Sequence, residues 1–184
     1  MRRWVILLLA LPVLAGMAGG GWAAWLQHGG NLHAVLEGEV YRSAQPSAAQ
    51  LEEWTAAHGF RSVLNLRGPS NATWYRAERQ TAKRLNLTHA DFAMRDSEIL
   101  TPDRAAALMA LMEALPKPVL IHCKAGADRT GLAAALYLAG QGHGEQQAEA
   151  QISFRYGHVS LPVSAAWPMD QSWEAMEPSF GFDS

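Results

Sequence analysis

The chain has a single cysteine among its 184 residues, Cys123. One cysteine cannot form a disulfide within the chain, and a thiol–disulfide exchange enzyme would lack its resolving partner. The sequence also has no cluster of Cys and His at metal-ligand spacing, so nothing in it predicts a metal or another cofactor. Cys123 is therefore interpreted either as a nucleophile or as a buried free thiol.

Basic residues are not in excess. Lys and Arg number 15 against 17 Asp and Glu, which gives a net charge of −2, and no Lys or Arg follows Arg155. This balance argues against a nucleic-acid partner, which would need a basic surface. In the C-terminal part aromatic residues alternate with carboxylates, and we expect the aromatic side chains to pack on the domain, with docking of a partner as the alternative. These residues are Trp167, Trp173, Phe180 and Phe182.

Charge is missing altogether from the 23 residues Trp4 to Leu26. About 20 apolar residues span a bilayer, and Arg2 and Arg3 precede the run, so we expect a membrane segment with the rest of the chain exported to the periplasmic or extracytoplasmic side. We favour an uncleaved single-pass anchor over a cleaved signal peptide, which would give a secreted protein. Residues 1–30 are thus assigned to the anchor or signal and a connector, and residues 31–184 to the folded domain.

Between Val40 and Gly140 short apolar runs alternate with segments of helical periodicity. Ser47 followed by Gln50 is the capping-box pattern of a helix start, and Gly59 fits the end of that helix. Alternation of this kind predicts an α/β fold with a central, mostly parallel sheet flanked by helices, and a ligand site at the carboxyl ends of the strands.

Three further segments are assigned from their composition. Residues 28–37 contain Gly and Asn and are expected to be a connector. A helix is expected from Glu145 to Phe154. The charged residues of the helix that ends at Leu85, Glu78 among them, are expected to form a solvated face, with Glu78 facing the site as the alternative.

Residues 122–131 read His-Cys-Lys-Ala-Gly-Ala-Asp-Arg-Thr-Gly and follow the apolar run Val119–Ile121. This pattern predicts a buried strand, a tight loop and a helix. A loop at a helix N-terminus directs backbone N–H groups and the positive end of the helix dipole toward one point, which binds anions and favours the thiolate form of a cysteine. Arg129 can fold back and offer two donors to the oxygens of a tetrahedral anion.

This stretch, with five residues between Cys123 and Arg129, resembles the signature loop of the cysteine-dependent protein tyrosine phosphatase superfamily, in its atypical dual-specificity form. The segment from Tyr41 to Arg67 is similar to the opening of the same family, with Tyr-Arg-Ser before a helix and Val-Leu-Asn-Leu-Arg in a strand. The resemblance implies a dual-specificity-phosphatase-like fold and hydrolysis of phosphate monoesters through a phosphocysteine, without a cofactor.

The resemblance also implies roles for single residues. Cys123 would be the nucleophile, Thr130 would donate its hydroxyl to the sulfur, and His122 would support the cysteine through backbone contacts. The phosphate-binding residues would be Lys124, Ala125, Gly126, Ala127, Asp128 and Arg129.

An aspartate is implied as the general acid for the leaving group. Asp96 is favoured because it lies shortly before the expected helix start at Thr101-Pro102. Asp91 lies five residues earlier, on a predicted strand, where its side chain could be structural. Asp128, directly before the arginine, resembles the loop of inositol-lipid phosphatases of the myotubularin kind, and it could be the acid or could orient Arg129.

Two substrate classes fit the loop. Lys124-Ala125-Gly126 resembles inositol-lipid phosphatases, whereas Asp128 stands where a second lysine would favour polyphosphates. We expect a phosphorylated protein as substrate, with tyrosine or dual specificity, and a phospholipid or inositol-lipid headgroup as the alternative. An inactive phosphate-binding interaction module is the alternative from another class.

Overall fold

The computed structural model describes residues 20–22, 25–26 and 28–182. Its strands are β1 His33–Leu36, β2 Val40–Ser43, β3 Ser62–Asn65, β4 Thr88–Asp91 and β5 Val119–His122. They form one sheet in the order β1-β2-β5-β3-β4. β1 pairs antiparallel with β2, and the other neighbours pair parallel. The expected mostly parallel α/β sheet is confirmed.

Helices pack on both faces of this sheet. Their bounds are α1 Ala48–His58, α2 Thr73–Arg84, α3 Pro102–Ala114, α4 Asp128–Gly140, α5 Glu145–Glu149 and α6 Trp167–Met176, with short 3₁₀ helices at Phe154–Tyr156 and Glu177–Phe180. Successive side chains of a strand point to opposite faces. In β5, accordingly, Val119 and Ile121 join the core under α3, α4 and α6, and Leu120 joins the core under α1 and α2.

The register of the sheet places the loop after β5 at its centre. Ser43 of β2 and Asn65 of β3 both pair with His122, the last residue of β5, so three carboxyl ends meet at one edge. From this edge the chain enters α4, in which residues 130–139 are all buried. A helix that is apolar all round is held by packing on every side, which makes α4 a rigid support for the loop.

Several boundaries agree with the sequence. The capping box at Ser47 and Gln50 is present, and Gly59 ends α1 in the left-handed conformation, with φ 67. The C-terminal aromatic residues pack on the domain as expected, because Trp173 is buried and stacks with Phe180.

Two assignments were wrong. The expected connector 28–37 contains β1. This strand joins the sheet because its backbone pairs antiparallel with the edge of β2. The helix expected over Glu145–Phe154 ends at Glu149. It cannot continue because the backbone carbonyl and side chain of Gln151 turn inward to accept hydrogen bonds from Arg42.

The predicted membrane segment lies mostly outside the described residues. No helix within the described ranges has the length and apolar character needed to cross a bilayer. The last part of the charge-free run contacts the domain, since Leu26 is buried and Trp22 Nε1 donates a hydrogen bond to the Phe154 carbonyl at 3.2 Å.

Candidate active site

The loop between β5 and α4 holds a buried cysteine. Cys123 is 1% exposed and lies directly after the central strand, and α4 begins five residues later at Asp128. The first turn of a helix has N–H groups without intrahelical partners and carries the positive end of the helix dipole. The fold therefore places the thiol of Cys123 beside a built-in anion site.

The carbonyl groups of the loop are bound from the inside of the protein. The Lys124 carbonyl accepts a hydrogen bond from the Gln45 N–H at 3.2 Å, and the Ala125 carbonyl accepts one from Asn31 Nδ2 at 3.0 Å. The Gly126 carbonyl accepts from Arg42 Nη2 at 2.8 Å. In a trans peptide the N–H of the next residue points the opposite way. The N–H groups of residues 125–127 therefore point away from the protein interior, which forms a concave anion-binding nest.

Arg42 is the central support under the loop. Its side chain is fully buried, its guanidinium lies 3.7 Å from the centre of the Tyr156 ring, and its Nη1 donates to the Gln151 carbonyl at 2.7 Å. Burial lowers the pKa of Arg42 to about 10, against the opposing charges of Tyr156 and Cys123, so the guanidinium is cationic at neutral pH. Arg42 was noted in the sequence only as part of a family-like segment, and its contact with the loop has no local sequence signal.

Arg129, the second residue of α4, has a hydrogen-bond donor without a partner among the described residues. Its Nη2 lies 3.2 Å from Asp96 Oδ2, and its Nη1 donates to the Met94 carbonyl at 3.3 Å. Its Nε is buried and has no hydrogen-bond partner among the described residues, and the same is true of the Thr130 hydroxyl. Buried donors of this kind are costly unless something binds them. They fit an anion held above Cys123.

The three candidate acids have different surroundings. Asp96 contacts Arg129 and its side chain is 43% exposed. Asp91 is engaged at the end of β4, where it accepts hydrogen bonds from Tyr75 at 2.5 Å and from Asn65 at 2.8 Å. Asp128 Oδ1 lies 2.7 Å from His158 Nδ1. The structure thus brings Asp96 and Asp128 to the loop and holds Asp91 within the sheet edge.

The contacts of Asp91 have an electrostatic consequence. Burial raises the pKa of Tyr75 to about 12, and its hydrogen bond to the Asp91 carboxylate adds to this. A neutral phenol that donates to a carboxylate is a stable structural pair, which matches the structural alternative considered for Asp91.

A buried carboxylate lies behind the cysteine. Glu78 is buried rather than on the solvated face that the charge pattern predicted, because α2 turns it inward to His89 Nε2 at 2.8 Å and His122 Nε2 at 3.1 Å. Burial raises its pKa, but contacts with the two histidines outweigh this, and the net pKa is about 2. His122 Nδ1 lies 3.3 Å from the Cys123 carbonyl, so the carboxylate is linked to the base of the loop through His122.

Arg67 adds a second cation that the sequence assignment did not include. It follows β3, its guanidinium lies 3.8 Å from the Trp74 ring centre, and its Nη1 donates to Gln45 Oε1 at 3.1 Å. Burial and the nearby charge of Arg129 lower its pKa, and Cys123 opposes this shift. Its position at the carboxyl end of a strand next to β5 was the sequence signal that could have identified Arg67 as a site residue.

No group of three or more His, Cys, Asp or Glu able to hold a metal ion occurs in the described part of the chain.

Comparison with known proteins identifies related folds. The model of the tyrosine phosphatase family matches residues 26–150. P. aeruginosa TpbA superposes with a TM-score of 0.62 at 20% identity, over 82% of this chain and 91% of that chain. PTPMT1 gives a TM-score of 0.60 at 17% identity, over 82% and 98%. The core catalytic domain of the PP-IP phosphatase SIW14 from S. cerevisiae gives 0.59 at 18%, over 82% and 93%. No curated protein matches the sequence.

Gly126 gives a direct test of the loop geometry. It has a φ of +72, and a Cβ there would lie 2.6 Å from the backbone nitrogen of Ala44 and the carbonyl carbon of Ser43. We predict that Gly126→Ala displaces the loop and weakens the binding of inorganic phosphate by at least about tenfold, because the aligned N–H groups are lost. Isothermal titration calorimetry measures this.

Gly142→Ala is the matched control. It has a φ of +79 but no atom within 4 Å of its added Cβ. It should cost about 1 kcal/mol of stability and leave phosphate binding unchanged. Equal phosphate affinity in both variants would contradict the role of this loop.

Proposed function

The chain belongs to the tyrosine phosphatase family, and from this membership we propose that it hydrolyses phosphate monoesters through a phosphocysteine intermediate. One observation carries the proposal: Cys123 is buried under a loop whose carbonyl groups point inward, beside the unpartnered Nε of Arg129. A nucleophile and an anion clamp thus share one rigid loop.

In the first step the Cys123 thiolate attacks phosphorus opposite the ester oxygen. A sulfur–phosphorus bond forms as the phosphorus–oxygen bond breaks, and the alcohol or phenol leaves. The outward N–H groups of the loop and the Arg129 guanidinium bind the three equatorial oxygens throughout. Catalysis depends mainly on this fixed electrostatic environment, as is general for phosphoryl transfer.

Asp96 is the proposed general acid. It is the candidate that contacts the phosphate-binding arginine while its side chain remains partly open to solvent, where a substrate could reach it. It donates a proton to the leaving oxygen in the first step. In the second step it accepts a proton from the water that attacks phosphorus and releases phosphate.

Thr130 has a proposed role in that second step. Its buried hydroxyl has no partner within the described residues and follows the phosphate-binding arginine in the first turn of α4. A hydroxyl donor near the sulfur would stabilise Cys123 as the leaving thiolate when the sulfur–phosphorus bond breaks.

Phosphorylated protein is the proposed substrate class, and a lipid headgroup is the second candidate. TpbA has been crystallised with pTyr and PTPMT1 with PI(5)P, so both chemistries occur on this fold. Asp128 stands in the loop where a second lysine would favour polyphosphates, which supports a singly phosphorylated group. The lipid candidate is supported by the exposed side chains of Trp22, Trp25 and Phe154, since such aromatic residues suit a membrane interface.

We predict that the full-length chain hydrolyses 4-nitrophenyl phosphate and that Cys123→Ser lowers the rate by at least about 10³-fold, because the covalent pathway is lost. The same assay is run with phosphotyrosine and phosphoserine peptides and with phospholipid vesicles. Higher kcat/KM for peptides supports the protein phosphatase, and higher kcat/KM for vesicles supports the lipid phosphatase.

The Cys123→Ser protein should still bind inorganic phosphate, which shows that its loop is folded. If Cys123→Ser remained as active as the wild type, the proposed mechanism would be wrong. Phosphoprotein binding without turnover by the wild type would favour an inactive binding module.

Asp96→Asn should lower kcat/KM, which reports the first step alone, by about 10²–10⁴-fold for phosphoserine peptides, whose leaving group needs a proton. The loss should be much smaller for 4-nitrophenyl phosphate, whose leaving group departs as an anion. Asp103→Asn, an exposed acid in the first turn of α3, is the matched control. A leaving-group-dependent loss in Asp128→Asn, with none in Asp96→Asn, would transfer the acid role to Asp128.

We also propose that residues Trp4 to Leu26 anchor the chain and that the catalytic domain is exported. The support is the absence of charge from this run and the two arginines before it. Alkaline phosphatase fused to the C-terminus should be active in cells only if the domain is exported. A second fusion carries at the C-terminus a reporter that is active only in the cytoplasm. Activity of that reporter, together with an inactive alkaline phosphatase fusion, would refute export.

A further inference from the structure

His158 is a fully buried histidine with a carboxylate at each ring nitrogen. Its Nδ1 lies 2.7 Å from Asp128 Oδ1 and its Nε2 lies 2.9 Å from Asp170 Oδ2. A carboxylate can only accept a hydrogen bond, and a neutral imidazole has one N–H. With both carboxyl groups ionised, both ring nitrogens must donate, and the ring is then an imidazolium between two carboxylates.

The environment supports this charge state. Burial lowers the pKa of His158, but the hydrogen bonds and charges of Asp128 and Asp170 outweigh it, and the net pKa lies above the ordinary value of 6.5. Beyond these two carboxylates, the charges around the pair are the Arg42 guanidinium beneath the loop, the neighbouring Arg155 guanidinium, and the acidic residues that line a cavity of ≈ 560 Å³ with Asp170. Those acidic residues are Glu145, Glu149, Glu174 and Glu177.

Asp128 places a negative charge in a loop that binds anions, and the His158 cation balances that charge. Asp128 is the first residue of α4, where the N–H groups and the dipole of the helix start favour an anion, so an unpaired carboxylate there would compete with phosphate for that positive end. Asp96 also contacts Arg129, but it lies on a separate, half-exposed segment outside the loop. Asp128 is part of the loop itself, so its charge must be balanced by a group of the protein beside the loop.

Asp96 and Asp128 have different ion-pair partners in the structure. Arg129 pairs with Asp96, Asp128 pairs with His158, and no ion pair joins Asp128 to Arg129 in the part of the chain that the structure describes. We propose that His158 is a positioning residue, which engages the Asp128 carboxylate and so keeps the anion site at the start of α4 open to the phosphoryl oxygens. This inference rests on the proposed phosphatase function and adds a residue from the C-terminal part of the chain to it.

A double-mutant cycle on phosphate affinity tests the proposal. Inorganic phosphate is titrated into the ¹⁵N-labelled full-length protein and its variants, and binding is followed by amide NMR. His158→Asn should weaken phosphate binding by about tenfold or more, because the Asp128 carboxylate is then unpaired beside the anion site and repels phosphate. Adding Asp128→Asn to His158→Asn should restore the affinity of Asp128→Asn alone, because no carboxylate remains to be held. A merely structural role for His158 predicts that Asp170→Asn, which removes the other unpaired carboxylate, restores the affinity of His158→Asn equally well.

His143→Asn is the matched control, since this histidine only contacts Gln147 at the surface. The proposal is overturned if His158→Asn binds phosphate like the wild type, or if the double variant stays as weak as His158→Asn. A wild-type protein that does not bind phosphate at all would instead refute the proposed function, and this inference with it.

The wild-type samples also provide a test that needs no variant and no phosphate. The ¹⁵N shifts of the His158 ring should show both nitrogens protonated at pH 6.5. A neutral ring at pH 6.5 overturns the proposal, even if His158→Asn does not fold. Asp170→Asn should lower the pH at which the ring loses its proton, because one of the two carboxylates is removed.

Discussion

The site depends on how the carbonyl groups of one short loop are bound. Buried carbonyls must be paired, and here the partners are the Gln45 backbone N–H, the Asn31 amide and the Arg42 guanidinium. With the carbonyls fixed inward, the peptide planes direct the N–H groups outward. The anion site above Cys123 thus follows from contacts made on the opposite side of the loop.

These contacts explain why distant segments of the chain are needed for one site. Asn31 comes from the segment before β1. His158 comes from the C-terminal part of the chain, two residues after Tyr156, whose ring contacts the Arg42 guanidinium. Glu78 supports the strand end from the other face of the sheet through His122. Each partner is buried, so each interaction acts at a lower effective dielectric constant than in water and resists rearrangement. The loop is held in place before any substrate arrives.

The sequence predicted the parts of the molecule that rest on local patterns. The capping box of Ser47, the sheet class and the strand–loop–helix unit around Cys123 depend on residues close together in the chain. The sequence could not place Glu78, because its neighbours on α2 have the charge pattern of an exposed face and only the pairing with two histidines makes burial favourable. His158 was missed because no local pattern marks it, and its two partners lie 30 and 12 residues away in the chain.

The central claim is that Cys123 carries the phosphoryl group during turnover. Rapid acid quenching of the full-length protein with 4-nitrophenyl phosphate, followed by mass spectrometry of its peptides, measures this directly. The account predicts one phosphoryl group on the peptide that contains Cys123, at a level that rises before steady state. Turnover with no phosphorylated peptide, or with the phosphoryl group on another residue, would contradict it.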